Sequence, residues 1–436
     1  MNAKSENMKY DVCIIGAGPA GYIAAIRAGQ LGMKVLLADR ESIGGMCIHW
    51  GCIPTKALLE SARQYYKLNQ IADFGVEGIK LDKIRFNWTK AVDRAMQIAK
   101  KMQADVEFLL HKKAVEFEQG NAVITGKNTV SINNRLIEAR NIIIATGSLP
   151  ELSKSKSVTG IRALYKMEEL PQEMAIEGNG PVAAEMAQLL NMLGVKVYLN
   201  THSQMLIPGA DHFLNQHLSQ QLRSEGIKML DNNDIPPHVI RLNANLRKAV
   251  VPDNHVEIAL DTNGFIAVDQ QLMTNVPGIY AVGDVNGISQ FAHASSAQGM
   301  FAINHIKGVK GHMRHDRYPM NIYTMPEIAQ VGKTEQELHD AGVDYKINEF
   351  KLSANAKAMI KNETQGLVRI LSDKKYGEVL GVQIIAENAT DMIAEASAYI
   401  EMEATVFDVA RTIHAHPTLS EVFSELGLAA ADAVKK

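Results

Sequence analysis

The stretch Tyr10 to Gly21, YDVCIIGAGPAG, decides the fold together with the two segments after it, Tyr22 to Gly32 (YIAAIRAGQLG) and Lys34 to Asp39 (KVLLAD). Tyr10 to Ile15 is short, apolar and rich in β-branched residues, the pattern of a buried strand. It runs into Gly16, Gly18 and Gly21 in G-x-G-x-x-G spacing, then into a helical pattern, then into a second strand ending on Asp39. Gly16 permits a tight turn, Gly18 lets backbone approach a diphosphate, and Gly21 lets helix and strand pack closely. Asp39, 23 positions after Gly16, stands where it can accept from a ribose hydroxyl. The helix amino terminus, reached through Pro19 and Ala20, faces the phosphates. A glycine-rich turn without a ligand would not need strand, helix and acid together, so the unit predicts a parallel α/β dinucleotide fold. Cys13, inside the strand, reads as a buried and inert thiol.

The chain has 436 residues, too many for one core, so two to four domains are expected. Apolar residues at 46%, charged residues at 21% and a net charge of -3 describe an ordinary soluble globular protein. That balance selects neither nucleic acid nor an anionic membrane as a partner. The polar opening MNAKSEN and the glycine-broken first apolar run predict neither a signal peptide nor a membrane span. Three cysteines in such a length form no disulfide scaffold. The expectation is a cytoplasmic protein in which any paired cysteines are catalytic.

Two of those cysteines lie in Gly44 to Lys56, GGMCIHWGCIPTK. The spacing of Cys47 and Cys52 is not that of zinc ligands and no later cysteine completes a site, so no metal is expected. In a regular helix residues five apart have Cα atoms roughly 8–9 Å apart, too far for a disulfide. A bridge therefore requires a bend, which Gly51 permits, and a bridge held so would be reducible. Near a helix start the helix dipole would favour the thiolates, as an exchange catalyst needs. The alternative is two unrelated free cysteines.

GAGPAG followed by GGMCIHWGCIPTKALL resembles the flavoprotein disulfide reductases, and KALL favours the dihydrolipoamide dehydrogenases within them. The resemblance implies that the first unit, with Gly45 at its edge, binds FAD. It implies that Cys47 exchanges with a dithiol substrate, that Cys52 lies against the flavin, and that Lys56 stands beside the reactive edge of its ring. His49 and Trp50 occupy variable motif positions and are given no chemistry. Two helical patterns in 57–113 read as packing. Strand-like segments come next and close on Ile142-Ile143-Ile144-Ala145-Thr146-Gly147-Ser148, which resembles the point where the family's chain leaves the flavin domain. Thr274 to Asp284, TNVPGIYAVGD, matches a second flavin motif, and by that likeness Asp284 bonds the ribityl chain.

A second half-motif succeeds the strand Met174-Ala175-Ile176: Gly178-Asn179-Gly180-Pro181-Val182-Ala183, a helix, and the strand VKVYLN. Glu185 matches the family glutamate that pairs with the lysine represented by Lys56. Two departures stand out. NAD-dependent relatives end the second strand on an acid, where this chain has Thr201 after Asn200, and NADP-dependent relatives place an arginine next, where it has His202. Secondly, only Asp231 to Pro237 separates GIKML from HVIRLNANL, so the family's β-meander is missing and the NAD-type domain is reduced. Two readings stand open: a working nicotinamide site, or a βαβ unit retained for packing.

From Tyr318 onward alternating strands (LVRIL, EVLGVQII) and helices form an α+β unit. It resembles the family's dimer-interface domain, with HAHPTLSE its most diagnostic string. By that match His416 is the acid–base residue and Glu421 its orienting carboxylate. A dithiol must lose a proton before it attacks a disulfide, and a carboxylate on the far ring nitrogen fixes the imidazole tautomer. His414 reads as structural, and His293 as part of a helix start. In the family the histidine that His416 matches serves the partner subunit's flavin site, which implies a homodimer.

The expected architecture is thus two Rossmann-like domains, for FAD and a reduced NAD type, plus an α+β dimerisation domain. The boundaries are 1–149, 150–262, 263–315 for the returning flavin segment, and 316–436. The implied activity is oxidation of dihydrolipoamide, or of a lipoyl-domain protein, through FAD to NAD. The alternatives are another electron acceptor or donor in place of NAD, and a non-catalytic subunit that binds lipoyl domains. The absence of cysteines after Cys52 sets aside mercuric reductases and thioredoxin reductases with a carboxy-terminal redox pair.

Overall fold

The computed structural model describes residues 9–150, 158–201, 203, 205–230, 234–244 and 247–434. The chain enters through β1 (Tyr10–Ile15), α1 (Pro19–Gln30) and β2 (Val35–Asp39), then α2 (Gly45–His49), α3 (Cys52–Lys67) and the long α4 (Trp88–Lys112). Strands β3 (Glu116–Gln119), β4 (Ala122–Gly126), β5 (Thr129–Ile132), β6 (Arg135–Ile144) and β7 (Ser148–Pro150) complete the first pass. The second pass runs β8 (Val158–Thr159), α5 (Ile161–Leu164), β9 (Glu173–Glu177), α6 (Pro181–Met192), β10 (Lys196–Asn200), α7 (His212–Ser224), β11 (Lys228–Leu230) and β12 (Ile240–Asn243). It returns by β13 (Arg247–Ala249), β14 (Ile279–Ala281) and α8 (Ala292–Ile306). The remainder is β15 (Met320–Ile322), β16 (Glu327–Gly332), α9 (Glu335–Asp340), β17 (Tyr345–Lys351), α10 (Ala356–Ile360), β18 (Leu367–Asp373), β19 (Val379–Ala386), α11 (Ala389–Glu401), α12 (Val406–Arg411) and α13 (Glu421–Val434).

The first sheet has the order β3-β2-β1-β6-β5-β4, with β14 beside β6. Its parallel half, β3, β2, β1, the end of β6 and β14, is the dinucleotide-type half the glycines predict, and its carboxyl edge carries Asp39, Ala145 and Asp284. Pro19 opens α1 without a side-chain cap at Gly18, so the helix amino terminus is left to a ligand or water. A Cβ at Gly21 would lie 1.7 Å from the Gly16 carbonyl oxygen. Gly21→Ala therefore forces α1 away from its strand, an overpacking that costs about 1–3 kcal/mol. A lowered thermal midpoint is expected, and an unchanged one would show that this contact tolerates a methyl group.

The second sheet is parallel throughout, β11-β10-β9-β12-β8. The register confirms which positions of the two units correspond. Gly16 N–H bonds Ala38 O at 2.7 Å and Gly178 N–H bonds Asn200 O at 2.9 Å, so Thr201 takes the place of Asp39. Among the described residues no antiparallel meander intervenes between β11 and β12. His202 lies outside the described residues. The third sheet, β15-β16-β19-β18-β17, is antiparallel and carries α11 and α13.

One apolar core joins α3 and α4 to the second and third sheets: Leu58, Leu59, Trp88 and Val92 pack with Leu189 and Leu190 of α6 and with Ile328 and Ile385 of the third sheet. α3 also spans them by charge. Near its end Arg63 donates to Tyr323 O and Thr324 O and pairs with Glu327, while Lys67 pairs with Glu363 and Glu387. No helix among the described residues is long and apolar enough to cross a membrane.

Candidate active site

Cys47 sits within α2 and Cys52 opens α3, with the chain broken between them at Trp50 and Gly51. Gly51 has φ −101° and ψ −114°. Its N–H bonds Met46 O at 2.7 Å, and a Cβ on it would lie only 2.9 Å from that oxygen. This is the bend that the five-residue spacing demands. It brings the two thiols, both unbridged, into a hydrogen bond with each other. That bond, burial and the neighbouring sulfur's charge push the Cys47 thiol up. The same bond pulls Cys52 down to about 7 against its burial, helped by the positive charges of Lys56 and Arg247. The two shifts run in opposite directions, Cys52 toward the thiolate and Cys47 toward the thiol.

Lys56 lies one turn along α3. Its ammonium bonds Glu185 Oε2 of α6 at 2.6 Å and rests 4.6 Å from the Tyr323 ring centroid. Glu185 is 1% exposed and its other oxygen accepts from the Tyr323 N–H at 3.0 Å. Burial works against the lysine charge, but the Glu185 carboxylate outweighs it and holds the Lys56 pKa above its ordinary value.

The thiols open into a cleft whose walls border about 880 Å³ of space, counting the part open to solvent. Gly18, Pro19, Ala20, Asp39, Gly45, Ala145, Thr146, Gly147 and Asp284 all line it, as do Cys47 and Cys52. Gly16 and Gly21 lie beneath it in the strand–helix packing. Asp39 closes the glycine turn by accepting from the Ala17 N–H at 2.7 Å. Asp284 accepts from Ser148 Oγ at 2.6 Å and pairs with Arg247 at 3.2 Å. Gly178 and Gly180 are not in this cleft; they form the turn between β9 and α6.

Several lining residues carry no sequence signal. Arg247 sits in a stretch without a motif, and only the antiparallel pairing of β13 with β7 brings it to Asp284. Trp50 lies under the guanidinium of Arg162, 4.4 Å from the ring centroid, and Arg162 in turn pairs with Glu41 across the cleft mouth. His49, also in the motif, holds the preceding loop through Ser42 Oγ and Ile43 O.

His416 and Glu421 are in the carboxy-terminal unit, outside the cleft. His416 Nδ1 lies 2.8 Å from Glu421 Oε1, and the other carboxylate oxygen accepts from the Thr418 N–H at 2.8 Å. The Thr418 amide and the imidazole hold the Glu421 carboxyl below its ordinary range, so it stays ionised to orient the ring. The His416 side chain is 73% exposed, and Ile413, three residues before it, is 96% exposed. His414 is buried instead, between Glu395 Oε1 at 2.6 Å and Ser424 Oγ at 2.5 Å, and anchors the loop that presents His416. His293 lies in the first turn of α8 and bonds Pro319 O. Among the described residues no group of histidines, cysteines and acids is placed to hold a metal ion.

The thiol asymmetry has a measurable consequence. In the reduced protein one thiolate should appear by ultraviolet absorbance with a midpoint near 7, present above it and lost below. Lys56→Met removes a charge that stabilises it and should raise the midpoint. A midpoint in the ordinary cysteine range in the unsubstituted protein would show the asymmetry to be wrong.

Comparison with known proteins bears on both halves of the chain. A family model described as pyridine nucleotide-disulphide oxidoreductase matches residues 10–237 and 240–299, and one for the dimerisation domain of the same proteins matches 318–426. Dihydrolipoyl dehydrogenase of Bacillus subtilis is 34% identical over 469 aligned residues, covering 97% of this chain and 98% of its own. The crystal structure of LpdA from Mycobacterium tuberculosis superposes with a TM-score of 0.88 at 23% identity, over 96% of this chain and 99% of that one. The HOCl-induced flavoprotein disulfide reductase RclA from Escherichia coli does so at 0.83 and 23%, over 96% and 99%.

Proposed function

The chain belongs to the pyridine nucleotide-disulphide oxidoreductase family, and from that premise we propose that it is an FAD-dependent enzyme oxidising dihydrolipoyl dithiols as a homodimer. The observation that carries this is the polarised thiol pair at the cleft, tied through Lys56 to Glu185. The cleft suits FAD. Gly18 and Gly45 approach so closely that a Cβ on Gly45 would lie 2.7 Å from the Gly18 Cα, leaving bare backbone beside the uncapped start of α1. Trp50 lines the cleft, and its buried indole N–H has no acceptor among the described residues. Gly18, Gly45 and the α1 amides would hold the diphosphate, Asp39 the adenosine ribose and Asp284 the ribityl chain. When bound, FAD supplies the two-electron carrier between the dithiol and the second substrate.

The remaining chemistry belongs to the chain's own residues. In the oxidised enzyme Cys47 and Cys52 are bridged. The partner subunit's His416 takes the proton from one substrate thiol, and the resulting thiolate attacks Cys47 Sγ, forming a mixed disulfide and releasing the Cys52 thiolate. The second substrate thiol displaces Cys47, closing the lipoyl disulfide and leaving Cys47 reduced. Two electrons and two protons have passed from substrate to protein groups. Lys56 stabilises the Cys52 thiolate, and Glu421 keeps the imidazole in the accepting tautomer.

NAD as the onward acceptor is the family reading, and the parallel order of the second sheet is in its favour; Thr201 at the Asp39 position favours a different acceptor. A subunit that only binds lipoyl domains would have no use for a polarised thiol pair. Anaerobic mixing of the flavin-loaded protein with dihydrolipoamide should bleach the flavin absorbance. Absence of bleaching would remove the dithiol reading.

A further inference from the structure

In an open parallel sheet the nucleotide lies at the carboxyl edge where strand order reverses. In the second sheet that edge is the crevice between β9 and β12, and an ion pair of the chain's own residues spans it. Glu177, the last residue of β9 and immediate neighbour of Gly178, pairs with Arg241 of β12 at 3.0 Å. A carboxylate beside the glycine turn opposes a diphosphate. The Gly180 N–H is spent on Leu206 O at 2.6 Å, whereas the matching Gly18 N–H has no acceptor among the described residues.

The Leu206 segment is not loosely placed. Leu206 and Ile207 are each 1% exposed, and Asn215 of α7 holds the segment through both the N–H and the carbonyl of Ile207. At the strand end where Asp39 stands in the first unit, Thr201 gives its hydroxyl to Ser203 O, so no carboxylate awaits a ribose. Among the described residues no strand lies between β11 and β12 to extend the wall.

What this unit does hold is the redox centre. α6 delivers Glu185 to Lys56 and to the Tyr323 N–H. One turn on, Gln188 accepts from the Met325 N–H at 2.7 Å and donates to Met325 O at 3.0 Å and to Glu225. Both side chains are buried, at 1% and 0% exposure.

We propose that the second parallel unit of this chain is retained as a clamp on Lys56 and takes no pyridine nucleotide. It rests on the FAD reading only for its optical signal and not on the dithiol reading. The flavin-loaded protein is titrated anaerobically with NADH and with NADPH, following flavin absorbance and the cofactor's own fluorescence, and separately with dihydrolipoamide. The expected result is no saturable binding and no bleaching with either nucleotide. Saturable NADH or NADPH binding accompanied by bleaching would overturn the proposal. If dihydrolipoamide also fails to bleach, dithiol oxidation falls while the nucleotide result stands by itself. For the clamp, Glu185→Gln should make Lys56 more reactive toward acetic anhydride by peptide mass spectrometry, because the carboxylate that holds its pKa up is lost. Unchanged reactivity would overturn that half.

Discussion

Cys47→Ser and Cys52→Ser are each expected to take dithiol oxidation to background, and to do so by different blocks. With Cys52→Ser, Cys47 meets a substrate disulfide with no neighbouring thiol to resolve it, so a mixed disulfide should accumulate and show as a mass increase of the intact protein. With Cys47→Ser, the thiol that exchanges with the substrate is gone, and no comparable adduct should build up. Both variants should keep the flavin, because Gly18, Gly45, Asp39 and Asp284, the residues assigned to hold it, are untouched. Trapping on Cys52 and not on Cys47 would reverse the assigned roles. Full activity in either would end the disulfide mechanism.

His416→Gln should lower kcat/KM for dihydrolipoamide by about 10²–10⁴-fold, the usual contribution of a positioned acid–base group. The loss should be steepest at neutral pH and smaller where the substrate thiol ionises without help. A sharper version uses two chains in one dimer. A subunit with Cys47→Ser still presents an intact His416, and one with His416→Gln still presents intact thiols, so a purified mixed dimer should recover one working site of two. Mixed dimers as inactive as either parent would show that histidine and thiols act within one subunit, contrary to the exposure of His416 outside the cleft.

The first parallel sheet was legible because its constraints are local. Gly16, Gly18, Gly21 and Asp39 must succeed one another at fixed spacing, and the structure places the lining members of that set on one cleft. Cys47 and Cys52 were legible for the same reason, since a five-residue separation joins two sulfurs only across a break. Arg247, Arg162 and Tyr323 were not, because each reaches the site through a chain crossing that no short motif encodes. The Gln188 contacts with Met325 and the Glu177–Arg241 pair were equally hidden: each is a contact between elements far apart in sequence, in a unit whose glycine pattern suggested a nucleotide.

α3 begins at Cys52 and ends, four turns later, bolted to the antiparallel sheet by Arg63 and Lys67. A rearrangement of the carboxy-terminal unit on assembly would reach Cys52 through this helix, so assembly state and thiol reactivity are expected to vary together. Diluting the protein until subunits separate should therefore change the alkylation rate of Cys52 itself, beyond the loss of a borrowed imidazole.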